Sequence, residues 1–434
     1  VKQQAHIVVG LGYGDEGKGT MVDALVRKTG ARTVVRFNGG AQAGHHVVTP
    51  ADRQHTFSQF GSGTFVPGCR TILSRYMIVH PTALLVEAER LAKVGVYDAM
   101  ERMFVDERAL VNTPYHQAFN RLTEIARGNN RHGTVGVGVG DTVQDSIRYR
   151  SDSIICADLY NPDVLRRKLR LIRGRKLDEG KHLLADAPQE REMLERPEIF
   201  DRILELYAEF AKRVNIGLFA DLSVFGDLVF EGAQGVLLDE WYGWHPYTTW
   251  TTCTSENALK LLRESEFVGD KTVIGVLRAY STRHGPGPFV SEDKELTELL
   301  PDTVNKSCPW QREFRVGWFD TVASRYAIDV DGSIDYIALT NVDRLAKVDR
   351  DWRVVDTYHT PIGNLTELPL YHQDLEAQEQ MGKELLSSRP GTWAMREPGQ
   401  FLTRVRHYRE CLQMALRKPI KVLSFGPTAD DKAW

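Results

Sequence analysis

Long apolar runs are missing from this sequence. No stretch approaches the roughly 18 to 20 consecutive apolar residues that a membrane-spanning helix needs, and residues 1–6 lead into a strand pattern without signal-peptide features. Paired cysteines are missing as well. Cys69, Cys156, Cys253, Cys308 and Cys411 are odd in number, scattered, and never spaced C-x-x-C. That argues against a disulfide framework or a zinc site and for a reducing, cytoplasmic setting. Charge of one sign is not in excess either: 55 Lys and Arg against 58 Asp and Glu leave −3. Such a balance gives no electrostatic footprint for nucleic acid and no attraction to a membrane. The basic run at 166–176 lacks interleaved aromatics and is followed by Asp178 and Glu179, so it reads as a solvated helix face. With no internal repeat, low-complexity tract or Pro/Ser linker, residues 1–434 read as one α/β unit.

What is present is a chain of 434 residues, 42% hydrophobic, able to bury a large core. Residues 5–10 form a short apolar run ending in glycine, 22–28 carry helical spacing, and 33–37 are again strand-like. This βαβ opening predicts a parallel sheet. Further buried strands are expected at 71–73, 228–230, 272–277, 336–340 and 419–424, and amphipathic helices at 82–93, 197–214 and 402–416. The fold class that follows is a large, mixed, mostly parallel central sheet flanked by helices.

The sharpest feature joins the first strand to the first helix: Gly10-Leu-Gly-Tyr-Gly-Asp-Glu-Gly-Lys-Gly-Thr20. It fits both a dinucleotide fingerprint and a phosphate-cradling P-loop. The dinucleotide pattern wants an acidic residue after the next strand, and Arg36-Phe37-Asn38 stands there, so a phosphate loop of P-loop-NTPase type is favoured. Glycines let backbone N–H groups converge on phosphate oxygens at a helix N-terminus, and Lys18 adds a point charge. A carboxylate beside phosphate needs a cation or a proton-transfer role, which makes Asp15 a candidate magnesium ligand and general base; helix N-terminal charge is reason enough for Glu16. A second glycine cluster, residues 38–46, offers His45 and His46 as proton carriers.

These motifs, with Phe230-Glu-Gly-Ala-Gln-Gly235, Ala279-Tyr-Ser-Thr-Arg283, Leu339-Thr340 with Asp343, and Ser424 with Gly426-Pro427, resemble the adenylosuccinate synthetase family in order along nearly the whole chain. The resemblance implies a homodimeric, GTP- and Mg²⁺-dependent ligase of purine nucleotide biosynthesis that joins IMP to L-aspartate. It implies that Asp15 is the base, His45 the acid, Lys18 a phosphate contact and Gln234 the residue that stabilises a 6-phosphoryl intermediate. Gly14, Glu16, Gly17, Lys18, Gly19, Thr20, Gly44, His45, Asn341, Asp343, Ser424 and Gly426 would hold the nucleotide, and Asp15 with the Gly44 carbonyl the metal. Gln42, Thr134, Val135, Tyr149, Arg150, Gln234, Thr249, Arg312 and Arg315 would hold the substrates.

The departures from the family pattern cluster by substrate. Gln42 replaces Asn and Val135 a Thr, while Tyr149, flanked by Arg148 and Arg150, replaces the Arg given across the dimer. The family's Thr-Thr-Gly-Arg-Arg-Arg-Arg is here Pro309-Trp-Gln-Arg-Glu-Phe-Arg315, and its guanine-side Lys is Asn341. A dicarboxylic amine wants paired cationic or hydroxyl donors, so two enzymatic alternatives stay open: the IMP and aspartate reaction, or the same phosphoryl activation with a different amine or oxo-substrate. Retention of Asp15, Lys18, His45 and Gln234 together speaks against a nucleotide-binding relic.

Overall fold

Runs of branched apolar residues bounded by turns build the centre of the molecule, as expected for strands covered on both faces. The computed structural model describes residues 2–183, 187–219, 221–302, 310, 313–395 and 399–434. Among them, ten strands form one sheet: β1 (Gln4–Gly10), β2 (Thr33–Arg36), β3 (Arg70–Leu73), β4 (Met103–Asp106), β5 (Asn215–Gly217), β6 (Leu228–Glu231), β7 (Asp270–Arg278), β8 (Tyr336–Thr340), β9 (Ile420–Ser424) and β10 (Lys432–Ala433). Their order is β10-β9-β8-β7-β1-β6-β2-β3-β4-β5, and every pairing is parallel except β9 with β10.

β1 lies between β7 and β6, and the chain leaves it toward one edge but leaves β7 toward the other. Such a reversal opens a crevice at the carboxyl ends of the strands, where α/β sheets bind ligands. The first helix, α1 (Lys18–Thr29), begins there. Its predicted apolar stripe at 22–28 starts a turn late, because Gly17 in the left-handed region (φ 89°) lets the backbone enter the helix already at Lys18.

The expected strands at 5–10, 33–37, 71–73, 228–230, 272–277, 336–340 and 419–424 all have counterparts in the sheet. The expected helices are Pro81–Lys93, Pro197–Arg213 and Phe401–Leu416. β4, β5 and β10 are added toward the edges, each too short to show a two-residue period. A helical layer with its own core covers one side of the crevice and includes Pro114–Arg127, Val139–Arg148 and Pro162–Gly180.

The basic run at 166–176 lies on the last of these helices, and it is only partly solvated. Leu169 and Ile172 are buried, and Lys176 is 3% exposed, with its ammonium 2.7 Å from Asp145 and its charge over the Phe119 ring. A buried lysine needs such a partner, so this end of the run ties two helices together.

Candidate active site

Five strand ends supply the walls of one cleft of about 1160 Å³. The loop after β1 contributes Gly14, Asp15, Gly17, Lys18, Gly19 and Thr20; the segment after β2 contributes Gln42, Gly44 and His45; Gln234 follows β6, Asn341 and Asp343 follow β8, and Ser424 and Gly426 close β9. Thr134, Val135 and Thr249 line the same space from the helical side and from the segment after Gln234.

Glu16 shapes the glycine loop from beneath. Its carboxylate accepts from the N–H groups of Gly12 at 2.9 Å and Gly14 at 2.8 Å, and from the Lys18 ammonium. Glu16 and Lys18 are both 3% exposed, so the pair compensates the burial of each charge. The fit is tight: a Cβ at Gly235 would lie 2.2 Å from the Gly12 carbonyl oxygen and 2.5 Å from Glu16 Oε1. Above this floor Asp15 (φ 59°), Gln234 (φ 55°) and Asn341 (φ 55°) adopt left-handed backbone, a cost that residues of these types meet mostly where side-chain placement matters.

Burial pushes the Asp15 carboxyl above its ordinary pKa, against the opposing pull of Arg278, His284 and Lys18. Arg278 fixes the loop by donating to the Asp15 carbonyl, and also to Asp302 at 3.1 Å. His45 Nδ1 meets the buried Glu231 carboxylate, which also accepts from the Ser62 N–H at 2.8 Å and from the Ser62 hydroxyl. Burial alone would raise the Glu231 pKa; His45, Arg36 and Ser62 outweigh it and bring it down to about 2. Burial lowers His45, so near neutral pH the imidazole donates Nδ1–H to a carboxylate and carries its lone pair on Nε2.

Both amide atoms of Gln42, Gln234 Oε1 and His284 Nε2 are buried without a hydrogen-bond partner, and all three side chains line the cleft. Buried polar groups are normally paired, so these atoms offer hydrogen-bond partners to a polar ligand. On the far side, Asn341 lies beside Asp343, whose carboxyl is raised by burial, and Ser424 donates to the Gly426 carbonyl at 3.1 Å. Thr20 ties this wall to α1 by donating to the Pro427 carbonyl at 2.6 Å.

Among the described residues, no cluster of three or more His, Cys, Asp or Glu side chains forms a metal cage. The Asp15 carboxylate and the Gly44 carbonyl, hard oxygen donors at the mouth of a phosphate-type loop, suit the sparse protein coordination typical of Mg²⁺ shared with phosphates.

Other sequence-predicted residues lie elsewhere. Glu16 is under the loop and does not line the cleft. Tyr149 stacks against Arg175, and Arg150 is exposed at the start of a short 3₁₀ helix outside the cleft. Arg315 is spent on Glu292 and on the carbonyls of Gly285 and Gly287. Arg312 lies outside the described residues. Sequence reasoning missed roles for Glu231, Arg278, His284 and Asp302. The signal was present for two of them: Glu231 and Arg278 are charged residues that end their strands directly after a run of buried apolar residues, a pattern that demands a buried partner.

Comparison with known proteins agrees over the full length. The Adenylosuccinate synthetase family model matches residues 7–433. Adenylosuccinate synthetase of Chlorobium phaeobacteroides is 31% identical over 440 residues, covering 99% of this chain and 97% of its own, and that of Mycobacterium leprae is 32% identical over 438 residues, covering 98% and 96%. In structure, the chain resembles a fully ligated adenylosuccinate synthetase from Plasmodium falciparum (TM-score 0.79, 20% identity, 100% and 99% of the two chains). It also resembles a succinoaminodeoxyadenylate synthetase from cyanophage S-2L, solved bound to dGMP and dATP as an energy donor (TM-score 0.60, 16% identity, 100% and 95%). By full-length match to its family model and relatives, the chain belongs to the adenylosuccinate synthetase family and shares its general ligase chemistry.

Proposed function

We propose that the protein uses GTP and Mg²⁺ to phosphorylate the 6-oxo group of IMP and then joins the activated ring to L-aspartate, giving adenylosuccinate and phosphate. One observation carries this: a lysine on a glycine loop, a buried carboxylate of raised pKa, a carboxylate-held imidazole and an unpartnered glutamine amide converge on one cleft. Asp15, poised above the usual carboxylate range, takes the proton from purine N1 so that O6 attacks the γ-phosphate. Lys18 exchanges Glu16 for phosphate oxygens. The arriving phosphates raise the proton affinity of His45, and Glu231 balances the imidazolium that donates from Nε2, much as a buried carboxylate supports the histidine of a hydrolase triad.

The Gln234 amide hydrogen-bonds the 6-phosphoryl group, and Gln42, Thr134 and Thr249 line the subsite of the acceptor nucleotide. Asp343 accepts from guanine N1–H and N2–H, with Ser424 and Gly426 over the base. Asp15 and the Gly44 carbonyl would hold Mg²⁺, which supplies charge neutralisation to the transferring phosphoryl group. In a homodimer, Tyr149 and Arg150 would serve the partner's cleft.

A second reading, the same activation with a different amine, is favoured by Phe314. Its ring lies 5.6 Å from the Arg278 guanidinium and edge-on to His284 at 5.7 Å, an aromatic side chain where the family pattern has a cation. Phosphate release from GTP or ATP, measured with IMP and a panel of amines, tests both. Release that needs IMP and L-aspartate supports the first reading, and release with IMP and another amine the second. Hydrolysis indifferent to any acceptor would refute both.

A further inference from the structure

The amine arrives as an ammonium ion and must shed a proton before its nitrogen can attack. Of the groups assigned above to phosphoryl transfer, Asp15 already carries the proton from purine N1 and His45 is committed to the phosphates of the donor nucleotide. His284 ends the strand Ser281–His284 and is paired with Phe314 in a two-stranded antiparallel sheet. It lines the cleft, its charge bears on Asp15, and its Nε2 is buried with no partner.

The charged groups around His284 divide cleanly. Arg278 donates to the Asp15 carbonyl, Tyr280 and Asp302; Arg283 to the carbonyls of Pro286, Pro288 and Tyr247; Arg315 to Glu292 and two glycine carbonyls. The guanidiniums described at this end are therefore held by the protein itself. The Asp15 and Asp302 carboxylates line the cleft beside them.

We propose that His284 is the general base of the amination step. The inference rests on the phosphoryl-activation reading and holds for either choice of amine. In the Nδ1–H tautomer, Nε2 takes one proton from the ammonium group. The amine lone pair then forms the C6–N bond, the C6–O6 bond breaks, and the second amine proton leaves with the phosphate as HPO₄²⁻. Phe314, edge-on to the imidazole, holds the ring in place.

The two half-reactions separate experimentally. Positional isotope exchange in GTP labelled with ¹⁸O at the β,γ-bridge, with IMP and no amine, reports activation alone; if the wild-type enzyme shows no exchange, the activation reading itself falls, and the inference with it. His284→Asn and His284→Gln are expected to retain measurable exchange while losing about 100-fold or more in kcat with the best amine of the panel, a far larger loss than that in exchange. Hydroxylamine, unprotonated at neutral pH, is expected to restore turnover to within a few-fold of wild type with the same nucleophile. Loss of exchange in both variants at an unchanged thermal midpoint would overturn the assignment, as would unchanged kcat with the ammonium-type amine or equal losses with hydroxylamine.

Discussion

Replacing Glu231 by Gln keeps the shape of the side chain and removes its charge, which isolates what the carboxylate does for His45. Glu231 is 0% exposed and accepts from His45 Nδ1, the Ser62 N–H and the Ser62 hydroxyl. An amide presents a donor where the carboxylate accepted three bonds, so at least one of them must be lost or reversed. The fall of the carboxyl from its ordinary 4.5 to about 2, at about 1.36 kcal/mol per unit, corresponds to about 3 kcal/mol of stability. That is the scale expected for leaving buried donors without their acceptor, ~1–3 kcal/mol and more where the acceptor was charged. Because the folded pKa is depressed, this stabilisation is complete above the unfolded value of 4.5 and is lost as the pH falls toward 2. Equilibrium urea unfolding at pH 7 is therefore expected to show Glu231→Gln less stable by about 3 kcal/mol at unchanged slope. Phosphate release should fall as well, since the imidazolium loses its counter-charge. A stability loss under about 1 kcal/mol, with isotope exchange unaltered, would refute the coupling of Glu231 to His45.

Asp15→Asn should abolish isotope exchange while leaving nucleotide binding by calorimetry intact. In the wild-type enzyme the base must be deprotonated and burial raises its pKa, so the acid limb of kcat/KM should fall at a pH above the ordinary aspartate value of 3.8. Gly235→Ala should eliminate turnover, because its Cβ would meet the Gly12 carbonyl at 2.2 Å and force the glycine loop out of place; nucleotide affinity near wild type would contradict the packing. Phe314→Arg combined with Trp310→Thr restores the family's residue types at two positions of the 309–315 segment and should lower the KM for L-aspartate if a different amine is the natural one. An unchanged KM would count against that alternative.

Much of the architecture was legible because its signals are local. The apolar run of β1, the glycines that follow and the helical stripe of α1 are adjacent in sequence, and their order alone calls for a parallel sheet with a phosphate loop at its carboxyl edge. The partners of Glu231 and Arg278, and any role for His284, were not legible, for the opposite reason. Each acquires its role only when strands distant in sequence become neighbours: His45 meets Glu231 across 186 positions, and Arg278 reaches the Asp15 carbonyl across 263. The basic run at 166–176 shows the same limit from the other side. Charge density suggests solvent, whereas helical periodicity turns Lys176 inward, where Asp145 waits on a neighbouring helix. Glu16 reads in sequence as a helix-terminus charge, and only the backward curl of the glycine loop makes it the acceptor for two loop amides and Lys18.

The hydrogen bond from Thr20 to the Pro427 carbonyl spans 407 positions and joins the phosphate loop to the wall built by Ser424 and Gly426. During synthesis the glycine loop emerges long before the wall that closes the cleft opposite it. The cleft is therefore enclosed only once β9 has emerged and paired with β8. Through the intervening elongation a nascent chain carries the glycine loop without an enclosed site, so a ligand of the cleft stabilises only chains that have reached β9.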